Sequence, residues 1–210
     1  MKPLLFLLFT AGALAQSLDL TVAPAVVPAG GIVTVTVNFT DSATPSGIAC
    51  LQATLPAGFT GSPAPGSSAT AGQKGLYFAP NGILIVCGAD QQGLPLNSNA
   101  LASGPLFTFV FTAPQATGQT VSVGLSGIAA VTGADTAPPV LVTSSPATFK
   151  TRSRYDVNGD GVVDQLDVDI VRQQVNGTQP CTTGDVDGDG VCKVKDLQLT
   201  IKAAQGKIGG

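Results

Sequence analysis

Ile32-Val-Thr-Val-Thr-Val-Asn-Phe39 alternates apolar and polar residues in period two from Val33 onward, and most of its members are β-branched. Such a run presents one apolar and one polar face when extended, which is the signature of a half-buried strand. Similar runs follow at Ile83-Leu-Ile-Val-Cys87, Leu106-Phe-Thr-Phe-Val-Phe-Thr112, Thr120-Val-Ser-Val-Gly-Leu125 and Val140-Leu-Val-Thr143. Gly, Pro and Ser clusters separate them, among them Pro28-Ala-Gly-Gly31 and Gly61-Ser-Pro-Ala-Pro-Gly66. Short strands at this spacing, with no helical stretch between them, predict an antiparallel, jelly-roll-type β-sandwich. The same period places Phe107, Phe109 and Phe111 on one face, where large apolar rings belong to a core.

The rest of the composition narrows the chemistry. The chain has 210 residues, 11% charged, with 26 Gly and 15 Pro. It contains no histidine, and all 13 of its acids are aspartate. Imidazole acid–base catalysis, His-ligated zinc and nucleophilic triads built on histidine are therefore excluded within it. A net charge of −3 gives no basic face for nucleic acid. Only Asp19, Asp41, Lys74, Asp90 and Asp135 are charged between Gln16 and Phe149. Those four aspartates are scattered without a motif, whereas glycoside hydrolysis needs two carboxylates flanking a sugar cleft. A carbohydrate platform would use exposed aromatics, for which Tyr77 with Gln91-Gln92 is the best local candidate. A non-catalytic binding protein is expected.

Residues 1–15, MKPLLFLLFTAGALA, have the form of a signal peptide: Lys2, an apolar stretch from Leu4, and Ala13-Leu14-Ala15 as a small-x-small cleavage site. No later apolar run reaches about 18 residues, so no transmembrane segment is expected. Export permits disulfides. Four cysteines allow three connectivities, and two separate domains would favour Cys50–Cys87 with Cys181–Cys192.

Charge changes abruptly after the basic stretch Lys150-Thr-Arg-Ser-Arg154, read here as a linker over 150–154 between a sandwich at 16–149 and a second domain at 155–210. Nine aspartates fall between Asp156 and Asp196. Asp156-Val-Asn-Gly-Asp-Gly-Val-Val-Asp-Gln-Leu-Asp167 is a twelve-residue loop of the EF-hand type. Asp156, Asn158, Asp160, the Val162 carbonyl, Asp164 through a water, and Asp167 are its candidate calcium ligands. Gly161 makes the sharp turn that lets alternating side chains converge on a hard cation.

Asp185-Val-Asp-Gly-Asp-Gly-Val-Cys-Lys-Val-Lys-Asp196 repeats the pattern. Its candidate ligands are Asp185, Asp187, Asp189, the Val191 carbonyl and Asp196. Lys193 stands at the ninth position, so this loop has one outer ligand fewer and less negative charge. Two calcium ions are expected, the first held more tightly. Each loop runs into a helical pattern: Val168, Val171 and Val175 after the first, Leu197, Ile201 and Ala204 after the second. Neither loop has room before it for a full entering helix.

That duplicated loop-plus-helix unit, over about residues 154–206, resembles a type I dockerin domain, a family that also closes its loops with Asp. The resemblance implies calcium-dependent docking to a protein partner, with recognition residues at loop positions 10 and 11. Those positions hold Gln165-Leu166 and Val194-Lys195 here, which differ from the family's Ser-Thr type and from each other. The first region resembles a cohesin over about residues 17–149. Pro28-Ala-Gly-Gly-Ile-Val-Thr-Val-Thr-Val-Asn38 is similar to that family's early strand, and Gly104-Pro-Leu-Phe-Thr-Phe-Val-Phe111 to its late one. Together the resemblances imply a secreted adaptor docking secreted or cell-surface proteins in extracellular polysaccharide degradation. The alternative is a carbohydrate-binding or adhesion module tethered by its calcium-binding repeat.

Overall fold

The computed structural model describes residues 16–41, 47–79, 81–88, 99–132 and 140–208. The expected signal peptide, Asp90, Gln91, Gln92 and Asp135 lie outside them.

Among the described residues, twelve strands and three helices follow in the order β1 (Gln16–Ala23), β2 (Val26–Pro28), β3 (Ile32–Asp41), β4 (Ile48–Thr54), β5 (Phe59–Pro65), α1 (Ser67–Ala71), β6 (Gly75–Phe78), β7 (Ile83–Cys87), β8 (Gly104–Thr112), β9 (Thr120–Val123), β10 (Ser126–Thr132), β11 (Thr143–Ser145), β12 (Ala147–Arg152), α2 (Gln165–Val175) and α3 (Val194–Ala204). All strands precede the two long helices. They form a five-stranded sheet β11-β1-β3-β8-β5, a four-stranded sheet β10-β4-β7-β6 and a three-stranded sheet β2-β12-β9.

Period-two alternation builds the core. In β3, Val33, Val35, Val37 and Phe39 are buried, while Thr34, Thr36 and Asn38 face outward. β8 lies antiparallel to β3 and contributes Phe107, Phe109 and Phe111 to the same interior. Leu106 is buried beside Phe107 although they are neighbours in sequence. The register of β8 shifts here, Val37 facing Phe107 and Asn38 facing Pro105, so Leu106 is the extra residue of a bulge. A bulge re-aims one side chain, which is how two successive residues both reach the core. Leu51, Leu84 and Val86 of the four-stranded sheet meet this layer from the other side.

Four features depart from the sequence expectations. The pairings β1–β11 and β2–β12 are parallel. A five-residue helix, α1, interrupts the strand series. The cluster Gly61–Gly66, read as a turn, lies mostly within β5, which pairs with β8 across a register shift between Thr60 and Ala64. Strand pairing with β8 overrides local turn chemistry there. Gly66 ends the segment where a Cβ would sit 2.2 Å from the Pro105 carbonyl oxygen, so only glycine fits. Finally, Val140 makes an isolated bridge to Ala130, and the strand expected at Val140–Thr143 begins only at Thr143.

The basic stretch after Phe149 is strand as far as Arg152. Lys150 and Arg152 are the outward residues of β12, and Thr151 between them is buried. The Thr151 hydroxyl donates to the Ala116 carbonyl and accepts the Gln119 amide. Only Ser153, Arg154 and Tyr155 separate β12 from Asp156. Beyond them a second, much smaller core forms from Val157, Val171 and Val186, flanked by Tyr155, Ile170, Val175, Leu197 and Leu199. It shares no residue with the sandwich core. Disulfides join Cys50 to Cys87 and Cys181 to Cys192. Among the described residues, no helix is long and apolar enough to cross a membrane.

Candidate metal centres

Residues 156–167 curl between β12 and α2 because aspartate side chains, in place of a regular ladder, collect the backbone amides. Asp156, 1% exposed, accepts from the amides of Gly159 at 2.8 Å and Gly161 at 3.1 Å. Asn158 Oδ1 accepts from Asp160 N, and Asp160 Oδ1 accepts from Val162 N, both at 2.9 Å. These are successive Asx turns, each tightening the chain by two residues. Gly159 and Gly161 have φ of 79° and 95°, the left-handed region that glycine enters without strain.

Asp167 closes the loop from inside α2. Fully buried, it accepts from Val157 N at 2.7 Å, Asn158 N at 3.1 Å and Asp164 N at 2.9 Å. Asp164 in turn accepts from Leu166 N, so the pair forms the capping box that starts the helix.

The second loop repeats this network almost atom for atom. Asp185 accepts from Gly188, Asp189 and Gly190, and Asp189 Oδ1 from Val191 N. Buried Asp196 accepts from Val186, Asp187 and Lys193. One carboxylate oxygen from each of Asp185, Asp187 and Asp189 lies within 4.8 Å of the others. Among the described residues Asp156, Asp160, Asp164 and Asp167 form no such cluster, their carboxylates being turned onto the loop's own amides, and Asp196 stands outside the Asp185–Asp187–Asp189 group.

The donor set fits a hard cation. Asp156 and Asp167 are buried carboxylates, and among the described residues no lysine or arginine forms an ion pair with either. Burying such charge without a counter-charge is costly, and an oxygen-seeking divalent ion removes that cost.

Three features escaped sequence reasoning. Val157 and Val186, at the second position of each loop, are core residues. Their recurrence in both copies was the available signal. Gln174, buried in α2, accepts the amides of Thr182 at 2.8 Å and Gly184 at 2.9 Å and so ties the first helix to the entrance of the second loop. Lys193 and Lys195 both reach the second loop's carboxylates: Lys193 Nζ lies 2.9 Å from Asp189 Oδ2, and Lys195 Nζ 2.8 Å from Asp187 Oδ2. The hydrogen bond from each ammonium holds its carboxyl below the usual carboxylate range and raises the lysine's own pKa.

Other surfaces bear on recognition. Leu166 and Val194, at the starts of α2 and α3, are 59% and 61% exposed. On the sandwich, Tyr77, Ile85, Gln52 and Ala129 form one cross-strand row on the outer face of β10-β4-β7-β6. These four strands contain no charged residue. An apolar groove of about 190 Å³ is lined by Cys50, Leu51, Gln52, Ile85, Ala129 and Val131.

Fold and site together define a β-sandwich followed by a pair of aspartate-built loop–helix units. Residues 154–203 match the family model described as the dockerin type I domain. Solved structures similar to the chain include cohesins. The third ScaC cohesin of Acetivibrio cellulolyticus, solved in complex with the ScaB dockerin, is 18% identical with a TM-score of 0.48, covering 65% of this chain and 98% of that one. The third ScaB cohesin of R. flavefaciens, in complex with a group 1 dockerin, is 16% identical with a TM-score of 0.48, covering 67% and 96%. A non-cellulosomal cohesin from the archaeon Archaeoglobus fulgidus is 16% identical with a TM-score of 0.42, covering 68% and 95%. No curated protein matches the chain.

Proposed function

We propose that this protein is a secreted, non-catalytic docking adaptor in extracellular polysaccharide degradation, with a calcium-ordered module at one end and a protein-binding sandwich at the other. The carrying observation is the duplicated loop, each copy closed by a wholly buried aspartate, Asp167 or Asp196, in the first turn of the helix that follows it. In this reading Asp156, Asn158, Asp160, the Val162 carbonyl, Asp164 and Asp167 hold one calcium ion. Asp185, Asp187, Asp189, the Val191 carbonyl and Asp196 hold a second. Calcium supplies the positive charge that the crowded carboxylates lack, and the chain supplies the turn geometry. The first site is the tighter, because Asp164 offers an outer ligand where Lys193 cannot accept.

The sandwich docks its partner on the outer face of β10-β4-β7-β6. A face without charge cannot steer a partner electrostatically and must bind through apolar contacts and hydrogen bonds. It therefore suits a protein presenting exposed apolar side chains. Exposed Leu166 and Val194 give the calcium-ordered module its own docking residues.

Calorimetry on the full chain should show uptake of two calcium ions, the higher-affinity step disappearing in Asp156→Ala and the weaker in Asp185→Ala. Secreted proteins retained on the immobilised chain should be lost with Ile85→Asp, which places a charge in the centre of the apolar row. Absence of calcium uptake would sink the metal reading. Retention on an insoluble polysaccharide, with no protein retained, would replace the adaptor by a carbohydrate-binding module.

A further inference from the structure

The two loops share a backbone network but differ in what surrounds it. Within its twelve residues the first has four aspartates (156, 160, 164 and 167) and no lysine or arginine, although Lys150 and Arg152 of β12 line a cavity beside Asp156 and Asp160; the second has four (185, 187, 189 and 196) and two lysines. Both lysines are spent inward, on Asp189 and Asp187. The second loop is also tied from two other directions. The Cys181–Cys192 disulfide anchors its eighth position to the segment that precedes it. Gln174 of α2 holds the amides of Thr182 and Gly184, immediately ahead of Asp185, and a Cβ on Gly184 would lie 2.9 Å from Gln174 Oε1. Among the described residues the first loop has no disulfide and no ion pair.

We propose that Lys193 and Lys195 serve as the second loop's built-in counter-ions, so that this loop keeps its shape without metal and calcium-dependent ordering resides in the first loop. The inference rests on the reading of both loops as calcium sites and assigns them different work. Two ammonium groups relieve the repulsion that would otherwise open the apo loop, and the disulfide and Gln174 hold the relieved loop in place. The same ammonium groups must yield when a divalent ion enters, since both claim the oxygens of Asp187 and Asp189. Order without metal and weaker metal binding are thus two sides of one linkage: what stabilises the empty form subtracts from the apparent affinity. Lys193→Gln with Lys195→Gln removes both counter-ions at side chains that are 56% and 70% exposed, leaving the core untouched.

Hydrogen exchange on the full chain, with calcium and in EGTA, tests this. In EGTA the amides of Val157, Gly161 and Asp164 should exchange about a hundredfold faster or more, while those of Val186, Gly190 and Lys193 change by less than about tenfold. In the double glutamine variant the second set should lose its protection in EGTA, and calorimetry should show the second site's calcium affinity raised by about tenfold. Equal loss of protection in both loops of the unmodified chain would overturn the proposal. So would a double variant whose second loop stays protected in EGTA. A chain that takes up no calcium at all would instead refute the metal reading, and the double variant in EGTA would still report on the lysines.

Discussion

The sandwich and the C-terminal module solve the problem of order with opposite means. The sandwich buries a continuous layer of Val, Leu, Ile and Phe side chains, from Leu18 to Phe149, and places almost no charge in it. The C-terminal module buries only four valines, Val157, Val168, Val171 and Val186, within a segment that carries nine aspartates. Its backbone amides are gathered by carboxylates, where those of the sandwich are gathered by strand partners. Apolar burial is set by the chain alone, whereas a carboxylate network is complete only when something answers its charge. The difference teaches where to expect dependence on conditions: the sandwich should be indifferent to calcium, and the module should not.

The largest effect should come from Phe107→Ala. Phe107 is fully buried, with its ring centroid 6.4 Å from that of Phe109. Truncating a core phenylalanine costs about 3–5 kcal/mol through lost transfer energy and the cavity left behind. Chemical denaturation should show that loss in the sandwich transition, while calorimetric calcium uptake stays unchanged. A change in calcium uptake would mean that the two cores are energetically one, which would break the comparison.

Asp167→Ala is the counterpart in the module. It strands the amides of Val157, Asn158 and Asp164, of which the first is buried with its acceptor, and removes a candidate ligand. Leaving such donors unsatisfied should destabilise the module by about 2–4 kcal/mol, with the sandwich transition unmoved. Asp167→Asn keeps an acceptor oxygen but loses the charge. Because Asn keeps one oxygen for Val157 and Asn158 but sets its amide nitrogen against the Asp164 amide, its stability in EGTA should fall between those of wild type and Ala, with weaker calcium uptake than wild type.

How much of this could be read in advance follows the same division. The turns of the loop were legible one by one, because short polar side chains in alternation are a local code, and Asp156, Asn158 and Asp160 each accept a backbone amide further along the loop. Strands with a buried and an exposed face were legible too, β3 and β7 above all. β5 was not, since its residues are mostly exposed and rich in Gly, Ser and Pro, and only pairing with β8 makes them a strand. The start of the module was blurred for a related reason. Lys150 and Arg152 look like linker residues, yet they are the outward half of an alternation whose inward half, Phe149 and Thr151, is buried. Nor does spacing reveal that Lys195 turns back onto Asp187, because that contact depends on the path of the folded loop.

The smallest effect should come from the surface of α2, and it tests whether charge in the module matters everywhere or only in the loops. Asp169 receives the Arg172 guanidinium at 2.5 Å and the Gln165 amide at 3.0 Å on the helix face next to the first loop. Arg172 and Asp169 are three residues apart and nearly half exposed, at 47% and 44%, so water and salt compete with the pair. Such neighbours on a helix contribute about 0.2–0.5 kcal/mol. Asp169→Asn should therefore shift the module's denaturation midpoint only slightly, by an amount that fades as salt is raised from low to about molar concentration, where screening extends over only a few ångströms. Its calcium affinity should fall less than threefold, because Asp169 lies beyond the loop and contributes only long-range charge. A loss as large as that of Asp167→Ala would show that the first site draws on the negative charge of the whole helix face, and that the sharp contrast between a charge-organised loop and an ordinary helix surface does not hold.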